Sequence, residues 1–432
     1  MNNIMLNKSV QVVGQYDVIV CGGGPAGWIA AVAAARNGKK TALIERYGFL
    51  GGAATASYVT PISKFNKNGR RVIGGIPWEF VEEMSAIGAA DPTYRNGNVP
   101  YDPEMYKLVA QRMVLEAGVD LFLHSYIIDV YTESRRITHV FTVNKSGIQA
   151  LEATMFIDAT GDADVAYMAG VPMLKMPISD QLQPASMCLR LGGVDTDHLE
   201  GLYPSEDNTK YYNDRVRDIL LSLPGTSVPP MGGPWFCTTL QDGIVNVNMT
   251  RRAADIKDNR QVSETECLLR EDAVRYTELL RQHVPQFKNS YLIATGVQAG
   301  YRETHRILGA HILTGEEYIQ SEEFPDTIAK GAHPVDIHRA ESMRQDVQFL
   351  KKEGNIPYRS LYSYEIANLL VAGRCLSADE VASASVRVQA SCMAMGQAAG
   401  TAAALCCKMK CEVSEIPVDL LRNTLISQNA IV

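Results

Sequence analysis

The sequence lacks the features that mark a disulfide-rich or metal-binding protein. Its nine cysteines include no C-x-x-C pair, and their odd number does not suit a disulfide framework. One cluster, Cys406, Cys407 and Cys411, matches no zinc or iron–sulfur spacing. We therefore expect reduced thiols and no metal site.

Runs of like charge are also missing. No Lys/Arg-rich segment occurs and the formal net charge is −7, so a nucleic-acid partner is not expected. Residues 1–15 lack the charged-then-apolar pattern of a signal peptide. The most apolar late segment, 386–407, contains Arg387, Gln389 and Gln397, which make it too polar for a good membrane span. We expect a cytoplasmic protein with no membrane partner.

A glycine motif lies near the start of the chain. The apolar run 18–21 is typical of a buried parallel strand, and Gly22, Gly24 and Gly27 follow it in the G-x-G-x-x-G spacing. Pro25, followed by Ala26, can open a helix at its first turn. Such a turn lets the backbone approach a pyrophosphate, and the helix N-terminus offers free N–H groups and partial positive charge.

An acidic residue occupies the position that this motif requires for ribose. The segment Thr41–Ile44 predicts a second strand, and Glu45 follows it, about 20 residues after the glycines. Strand, glycines, helix, second strand and carboxylate in this order predict a dinucleotide site. The alternative is a glycine-rich turn that binds no ligand, which would leave Glu45 without a role.

Later segments indicate how the fold continues. Apolar strands are predicted near 119–124 and 153–158, a hairpin at 127–143, and a further buried strand from 368, followed by a long small-residue helix starting near Ala384. We predict an α/β fold with a parallel, Rossmann-like nucleotide-binding sheet assembled from separated segments, and an inserted mixed α+β substrate domain. The predicted nucleotide-binding segments are 15–65, 101–170 and 355–410. The predicted substrate or cap segments are 66–100 and 171–354, with 411–432 as a C-terminal segment.

Taken together, these segments resemble the bacterial FAD-dependent oxidoreductase family of the glutathione-reductase-like flavoprotein superfamily. The blocks that carry the resemblance are 21–27, 45–52, 156–164, 302–306, 356–359 and 368–400. The first block is shared with NAD enzymes, and the later ones are more specific.

The resemblance implies a set of FAD-binding residues. Gly22, Gly24 and Gly27 would hold the pyrophosphate, and Glu45 the ribose. The other residues implied to bind or line the FAD site are Pro25, Ala26, Arg46, Gly52, Ala53, Ile127, Thr160, Gly161, Asp162, Arg374, Ala384, Ser385 and Val386. Arg374 stands where many relatives place an aspartate for the ribitol chain. The helix from Ala384 would direct its N-terminus at the flavin, although tight helix packing would also explain its small residues.

Two absences bear on the cofactor. No second G-x-G-x-x-G follows a strand, so we expect no separate NAD(P)H domain. Relatives with covalent FAD use a histidine just before the second glycine pair, and residues 46–57 contain none. We therefore expect non-covalent FAD.

Candidate catalytic residues lie in two polar blocks and before the last strand. Arg302 and Arg306, placed on one face of a predicted strand, would clamp a carboxylate, or else belong to a structural ion-pair network with Glu303 and His305. His338 is a candidate acid–base, with a packing role as the alternative. Arg359 is a candidate for contact with the flavin.

We expect hydride transfer between a small organic substrate and flavin N5. Two alternatives stay open: an electron-transfer flavoprotein subunit that serves a partner protein, and a thiazole-synthase-like enzyme that consumes NAD. A homo-oligomer is also compatible with the sequence.

Overall fold

The computed structural model describes residues 8–93, 97–175, 182–199, 212–224, 228–339 and 345–432. Within these ranges the strands, β1 to β17 in chain order, are Gln11–Cys21, Thr41–Ile44, Asn66–Lys67, Arg70–Arg71, Asp120–Phe122, Tyr126–Glu133, Arg136–Asn144, Gly147–Asp158, Leu189–Gly192, Met231–Thr238, Val245–Thr250, Tyr291–Thr295, Thr327–Gly331, Val335–His338, Gln345–Gln348, Gly354–Pro357 and Leu369–Val371. The helices, α1 to α11, are Pro25–Arg36, Ala53–Ala56, Ile76–Ala86, Pro103–Glu116, Asp164–Met168, Tyr212–Leu221, Asn259–His283, Gly315–Gln320, Glu380–Val386, Gln389–Met409 and Val418–Ser427.

The main sheet has the strand order β5–β2–β1–β8–β7–β6, with β17 beside β8. β1 pairs in parallel with β2 and β8, and β5 pairs in parallel with β2. β8 is long enough for two neighbours, because its first half pairs antiparallel with β7 and its last three residues pair in parallel with β17. The inner ends of β1 and β8 are fully buried, as expected for strands covered on both faces. The predicted α/β fold with a mainly parallel sheet is confirmed.

Helices α1 and α10 pack with their backbones in close contact. Gly396 and Gly400 lie one turn apart on α10, where a Cβ would lie 2.1 Å from Ala26 O and 2.2 Å from Ala30 O. Glycine is required at both positions because any side chain would push the two helices apart. The contact also places α10 directly beside the first turn of α1.

Gly400→Ala tests this packing. The added methyl group would meet the Ala30 carbonyl, and relieving that contact requires a shift of a whole helix. We expect a loss of about 2–3 kcal/mol in the free energy of unfolding, measured by urea denaturation. Ala394→Gly, on the same helix, is the control and should cost about 1 kcal/mol through helix propensity alone. Equal effects of the two variants would contradict the packing argument.

The start predicted for the long helix is wrong. α9 ends at Val386, Val388 is extended with ψ of 155°, and α10 begins at Gln389. The extended residue interrupts the i→i−4 hydrogen bonds without a proline or glycine, so no helix-breaking residue marks the boundary in the sequence. Among the described helices, α10 is long and apolar enough to cross a membrane, yet 89% of its apolar window is buried inside the protein.

A second sheet, β10–β11–β9–β12, is antiparallel and packs against α7 around its own hydrophobic core. Segment 66–100, assigned by the sequence to the substrate domain, belongs by packing to the main core. Its helix α3 contacts α1, α4 and α10, and Phe80 lies 4.9 Å from Trp28 between ring centroids. The domain boundaries themselves stay a prediction.

Candidate functional site

The turn between β1 and α1 surrounds the start of the helix with backbone. Gly22 has φ of +100°, which favours glycine. A Cβ at Gly27 would lie 1.8 Å from Gly22 O, so the helix can sit this close to the strand only with glycine there. A Cβ at Gly24, by contrast, would meet nothing nearer than the Gly52 Cα at 4.0 Å. No side chain caps α1, which leaves its first N–H groups to an anion.

Glu45 ends β2 with a buried carboxylate beside this turn. Its Oε2 accepts from the Gly23 N–H at 2.6 Å and its Oε1 from the Tyr47 N–H at 2.8 Å. Burial raises the pKa of Glu45, and these two hydrogen bonds oppose that rise. The Ser125 N–H donates to Glu45 O at 3.0 Å, which brings the start of β6, and with it Ile127, to the same strand end. The residues implied for ribose and adenine are therefore neighbours.

A second glycine pair closes on the first. Gly51 and Gly52 both have positive φ, and a Cβ at Gly52 would lie 2.9 Å from the Gly24 Cα. Ala53 then opens the short helix α2. Two backbone stretches thus approach each other without side chains between them, at the N-terminus of α1.

Two arginines border the turn after β8. Arg374 donates from Nη2 to Asp162 Oδ1 at 2.9 Å and from Nη1 to Tyr301 O at 2.8 Å. Arg46 donates from Nη2 to Gln298 Oε1 at 2.9 Å; burial lowers the pKa of Arg46, but Tyr47 and then Asp162 outweigh this effect, so the pKa is raised. Both arginines therefore tie the nucleotide sheet to the segment after β12. Arg374, at the position where the resemblance implies an aspartate, is thus paired with Asp162.

Asp158 organises the turn 160–162 from the end of β8, where it has no exposed surface. Its Oδ1 accepts from Thr160 N at 3.0 Å and Thr160 Oγ1 at 2.7 Å, and its Oδ2 accepts from Ala166 N at 2.9 Å. Thr160 Oγ1 in turn accepts from Asp164 N at 3.1 Å. The sequence reasoning treated Asp158 only as the last residue of a strand and missed this role. An acid directly after the apolar residues 155–157 was the available signal.

Asp164 makes the stability depend on pH. Burial, with the charges of Asp158 and Asp162, raises the pKa of Asp164 to about 7. The folded-state pKa of Asp164 lies above its unfolded value. The contribution of Asp164 to the free energy of unfolding is therefore fully present below about pH 4 and is lost as the pH rises through 7. We expect Asp164→Asn to stabilise the protein more at pH 8 than at pH 5, by on the order of 2 kcal/mol. Urea denaturation at both pH values measures it, and equal changes would contradict the assignment.

The start of α10 carries buried polar atoms with no hydrogen-bond partner among the described residues. Gln389 Nε2 donates to Val59 O at 2.6 Å, but Gln389 Oε1 and Ser391 Oγ have none. Such atoms usually have partners in native proteins, so a polar ligand at this helix N-terminus would complete their hydrogen bonding.

Ala384, Ser385 and Val386 do not begin the long helix, contrary to the sequence prediction. They end the seven-residue helix α9, where Ser385 Oγ donates to His333 O at 2.5 Å. The helix N-terminus that the flavin argument requires belongs to Gln389 instead. The three residues therefore do not lie at the helix N-terminus on which their assignment to the flavin depended.

His338 lies at the end of β14 in a buried polar cluster. Its Nε2 is 3.1 Å from Asp336 Oδ2, and its Nδ1 is 2.9 Å from Arg251 Nη2. Because a guanidinium can only donate, Nδ1 accepts and Nε2–H donates to the carboxylate. Burial, then the charge of Arg302, lowers the pKa of His338 to about 3, so the ring is neutral. Both nitrogens are engaged within the protein, which favours a positioning role; the acid–base role stays a prediction.

The segment around Glu303 is irregular and not the predicted strand. Glu303 pairs with Arg306 at 3.5 Å and accepts from Gln183 N at 2.7 Å, so its partner is not His305. Arg302 contacts the segment that follows Gln183, where its Nη1 donates to Ser186 Oγ at 2.8 Å. Arg306 is thus held in an internal ion pair, whereas Arg302 has only neutral acceptors.

Arg359 lies apart from the other candidates. Its Nε and Nη2 donate to the two oxygens of Asp326 at 3.0 and 3.1 Å, and this pairing raises the pKa of Arg359. Within the described part of the chain, its side-chain hydrogen bonds go to Asp326. A bidentate pair of this kind favours a structural role, and contact with the flavin stays a prediction.

The sequence reasoning also missed residues that complete the cluster around His338. Gln183 Oε1 accepts from the His338 N–H at 3.1 Å, and Gln345 Nε2 donates to Asp336 Oδ1 at 3.0 Å. Arg387 donates from Nη2 to Asp336 O at 2.9 Å. These contacts join distant parts of the chain and have no spacing signal. A lone charge in an apolar segment could have drawn attention to Arg387.

A glycine turn suited to a dinucleotide at the end of a mainly parallel sheet is typical of nucleotide-binding enzymes. The family described as FAD dependent oxidoreductase matches residues 17–425, and the chain belongs to it. It is an FAD-dependent oxidoreductase. The narrower superfamily assignment stays a prediction.

Two curated relatives match part of the chain in sequence. Dihydrolipoyl dehydrogenase from Trypanosoma brucei brucei is 31% identical over 166 residues, 38% of this chain and 33% of that protein. The enzyme of the same name from Acholeplasma laidlawii is 28% identical over 194 residues, 42% and 54% of the two chains. The aligned part thus spans only 33% and 54% of these curated relatives. A geranylgeranyl bacteriochlorophyll reductase-like structure from Thermoplasma acidophilum has a TM-score of 0.50 at 17% identity, covering 97% of this chain and 84% of that one, and shows the fold.

The residues present fit FAD. The uncapped start of α1, the side-chain-free approach of Gly24 to Gly52 and the buried Glu45 carboxylate suit a pyrophosphate and a ribose. The unpartnered Gln389 Oε1 and Ser391 Oγ suit the polar edge of a ring system. When bound, FAD supplies an acceptor or donor of two electrons.

Proposed function

We propose that the protein transfers a hydride between a small organic substrate and N5 of non-covalently bound FAD. The observation that carries the proposal is the buried polar cluster around His338, which adjoins the start of α10. β14 packs against α9, and Arg387 of the cluster precedes Val388, the residue that caps α10. Family membership supports the redox chemistry, and the cluster supports a substrate pocket beside the cofactor.

Residues of the chain would bind and orient the cofactor. Gly22, Gly24 and the first N–H groups of α1 would bind the pyrophosphate, and Glu45 would accept from the ribose. Gln389 and Ser391 would orient the flavin. The Asp336 carboxylate holds His338 in one tautomer, which fixes the wall of the pocket.

A proton must also be held near the substrate. His333 is partly buried, and its Nδ1 lies 2.7 Å from Ser63 Oγ. Burial lowers the pKa of His333 to about 4, so its ring is neutral and can accept a hydrogen bond from that hydroxyl. Burial and the charge of Lys67 lower the pKa of Lys64, which makes its ammonium a readier proton donor. These groups supplement His338 as candidates.

The first experiment is anaerobic reduction of the purified protein. Flavin absorbance, with FAD in the supernatant after acid precipitation, would establish that the cofactor is not covalently bound. Bleaching by one of a panel of hydroxy acids, sugars and amines, slowed when the reacting C–H is deuterated, is the expected result. Bleaching by a protein partner alone would favour the electron-transfer alternative. Release of nicotinamide-derived adducts in place of flavin would favour the NAD-consuming one.

We further propose a cytoplasmic location without a membrane or nucleic-acid partner. The composition supports this, since the net charge is −7 and no basic segment occurs. A homo-oligomer is compatible with the chain and would be detected by light scattering.

A further inference from the structure

Two arginines in the polar cluster have no carboxylate partner among the residues that the structure describes. Arg302 donates to Pro184 O and Ser186 Oγ, and Arg387 donates to Asp336 O, all of them neutral acceptors. No described carboxylate lies within the 4.0 Å ion-pair distance of either guanidinium. Arg387 Nη1 has neither solvent contact nor a hydrogen-bond partner among the described residues.

The two guanidiniums lie in an interior position, although each side chain keeps some exposed surface. Burial lowers the pKa of each to about 10, and a neighbouring arginine adds to the effect, Arg251 at Arg302 and Arg302 at Arg387. Each side chain is therefore partly accessible, although its charge is strongly desolvated.

Asp336 does not neutralise this pair. Its carboxylate is held by His338 at 3.1 Å and by Gln345 at 3.0 Å. His338 and His333 are neutral and add no negative charge. Arg251 adds a further positive charge beside Arg302, and the negative charges that act on the pair are Asp336 and, at Arg387, Glu303. Among the described residues, neither carboxylate forms an ion pair with Arg302 or Arg387.

An excess of buried positive charge is unfavourable without a counterion. Removing an ion from water costs several kcal/mol, and only a close partner of opposite charge offsets this. A guanidinium can bind a carboxylate through two parallel N–H···O bonds, and Arg387 still has a buried donor unused. Asp336 close by would repel a second negative charge, which favours a singly charged ligand over a phosphate dianion.

We propose that Arg302 and Arg387 bind a carboxylate group of the substrate, so that the enzyme acts on a small organic acid. This inference rests on the proposed function and names the substrate class for the same site. It differs from the clamp predicted from sequence, because Arg306 is already paired with Glu303 and Arg387 takes its place.

The test titrates the FAD-loaded enzyme with acetate, propanoate and succinate, against chloride and phosphate at constant ionic strength. Flavin difference spectra and the melting temperature are recorded. We expect the carboxylates, but not chloride, to shift the flavin spectrum and raise the melting temperature. No response to any carboxylate, or tighter binding of phosphate than of acetate, would overturn the proposal.

Variants locate the effect. Arg387→Met should weaken carboxylate binding about 30-fold or more. Arg387→Met should also raise the melting temperature in carboxylate-free buffer, because an uncompensated buried charge is removed. Arg387→Lys should keep part of the binding. Arg275→Gln, which removes an exposed charge on α7, is the control and should bind carboxylates as the parent does. Carboxylate binding unchanged in Arg387→Met would overturn the assignment.

The flavin spectrum separates this proposal from the proposed function. Protein that holds FAD but ignores carboxylates would refute the substrate class and leave hydride transfer standing. Protein that binds carboxylates but is never bleached by a small molecule would refute the hydride-transfer proposal and leave the anion site standing.

Discussion

Gly24→Ala is expected to weaken FAD binding by about 100-fold while leaving the FAD-free protein as stable as the parent. The backbone at Gly24 has φ of −66°, which alanine adopts freely, and an added Cβ would have no neighbour closer than 4.0 Å. The space that the methyl group would fill is the space a pyrophosphate needs to approach the N-terminus of α1. Titration of the FAD-free protein with FAD, followed by fluorescence, measures the affinity, and urea denaturation measures the stability.

Gly27→Ala is the matched control, because the same methyl group is added three residues along the chain. Here the Cβ would lie 1.8 Å from Gly22 O, so the clash is within the protein and α1 must move from the strand. We expect this variant to lose about 3 kcal/mol or more of FAD-free stability. Loss of stability by both variants, or unchanged FAD affinity in Gly24→Ala, would contradict a pyrophosphate site at this turn.

The contrast between these two glycines shows why the first part of the site could be predicted from sequence. The residue types that specify β1, the glycine turn, α1 and Glu45 are local, because each lies within a few residues of the element it determines. The parallel sheet built from separated segments could likewise be predicted, because buried apolar strands that alternate with helices are a local pattern. The structure brings Gly52 close to Gly24 and the start of β6 close to Glu45, and the binding roles of these residues stay a prediction.

The polar cluster could not be predicted in the same way. Its members come from separate segments of the chain, and Gln183 gives no local signal because it lies 155 residues from His338, whose backbone N–H donates to it. Arg306, predicted to face a substrate, is paired with Glu303, which alternation along a strand cannot indicate in an irregular segment. The break before Gln389 is equally invisible, since tertiary contacts at Arg387 end α9 where local propensity would continue it.

Asp158→Ala should be the most destabilising substitution of a polar residue in the nucleotide half. It would leave the N–H groups of Thr160 and Ala166 and the Thr160 hydroxyl without their acceptor, at a position with no solvent. Losing a charge-assisted hydrogen bond and leaving its buried donor without an acceptor costs about 1–3 kcal/mol per group. Burial raises the pKa of Asp158, which means that the buried charge is itself unfavourable. Removing this charge therefore offsets part of the loss in the free energy of unfolding. We expect a net loss of about 3–5 kcal/mol, measured by urea denaturation.

The local organisation of the turn decides how the related variants should rank. Asp158→Asn keeps one acceptor oxygen for Thr160 but presents an N–H₂ group to the Ala166 N–H, so it should lose about half as much. Thr160→Val removes a single hydroxyl and should lose about 1 kcal/mol. Because the same turn carries Asp162, the partner of Arg374, FAD affinity should fall in the same order. Loss of stability without any loss of FAD affinity would show that the turn supports the sheet alone and does not border the cofactor.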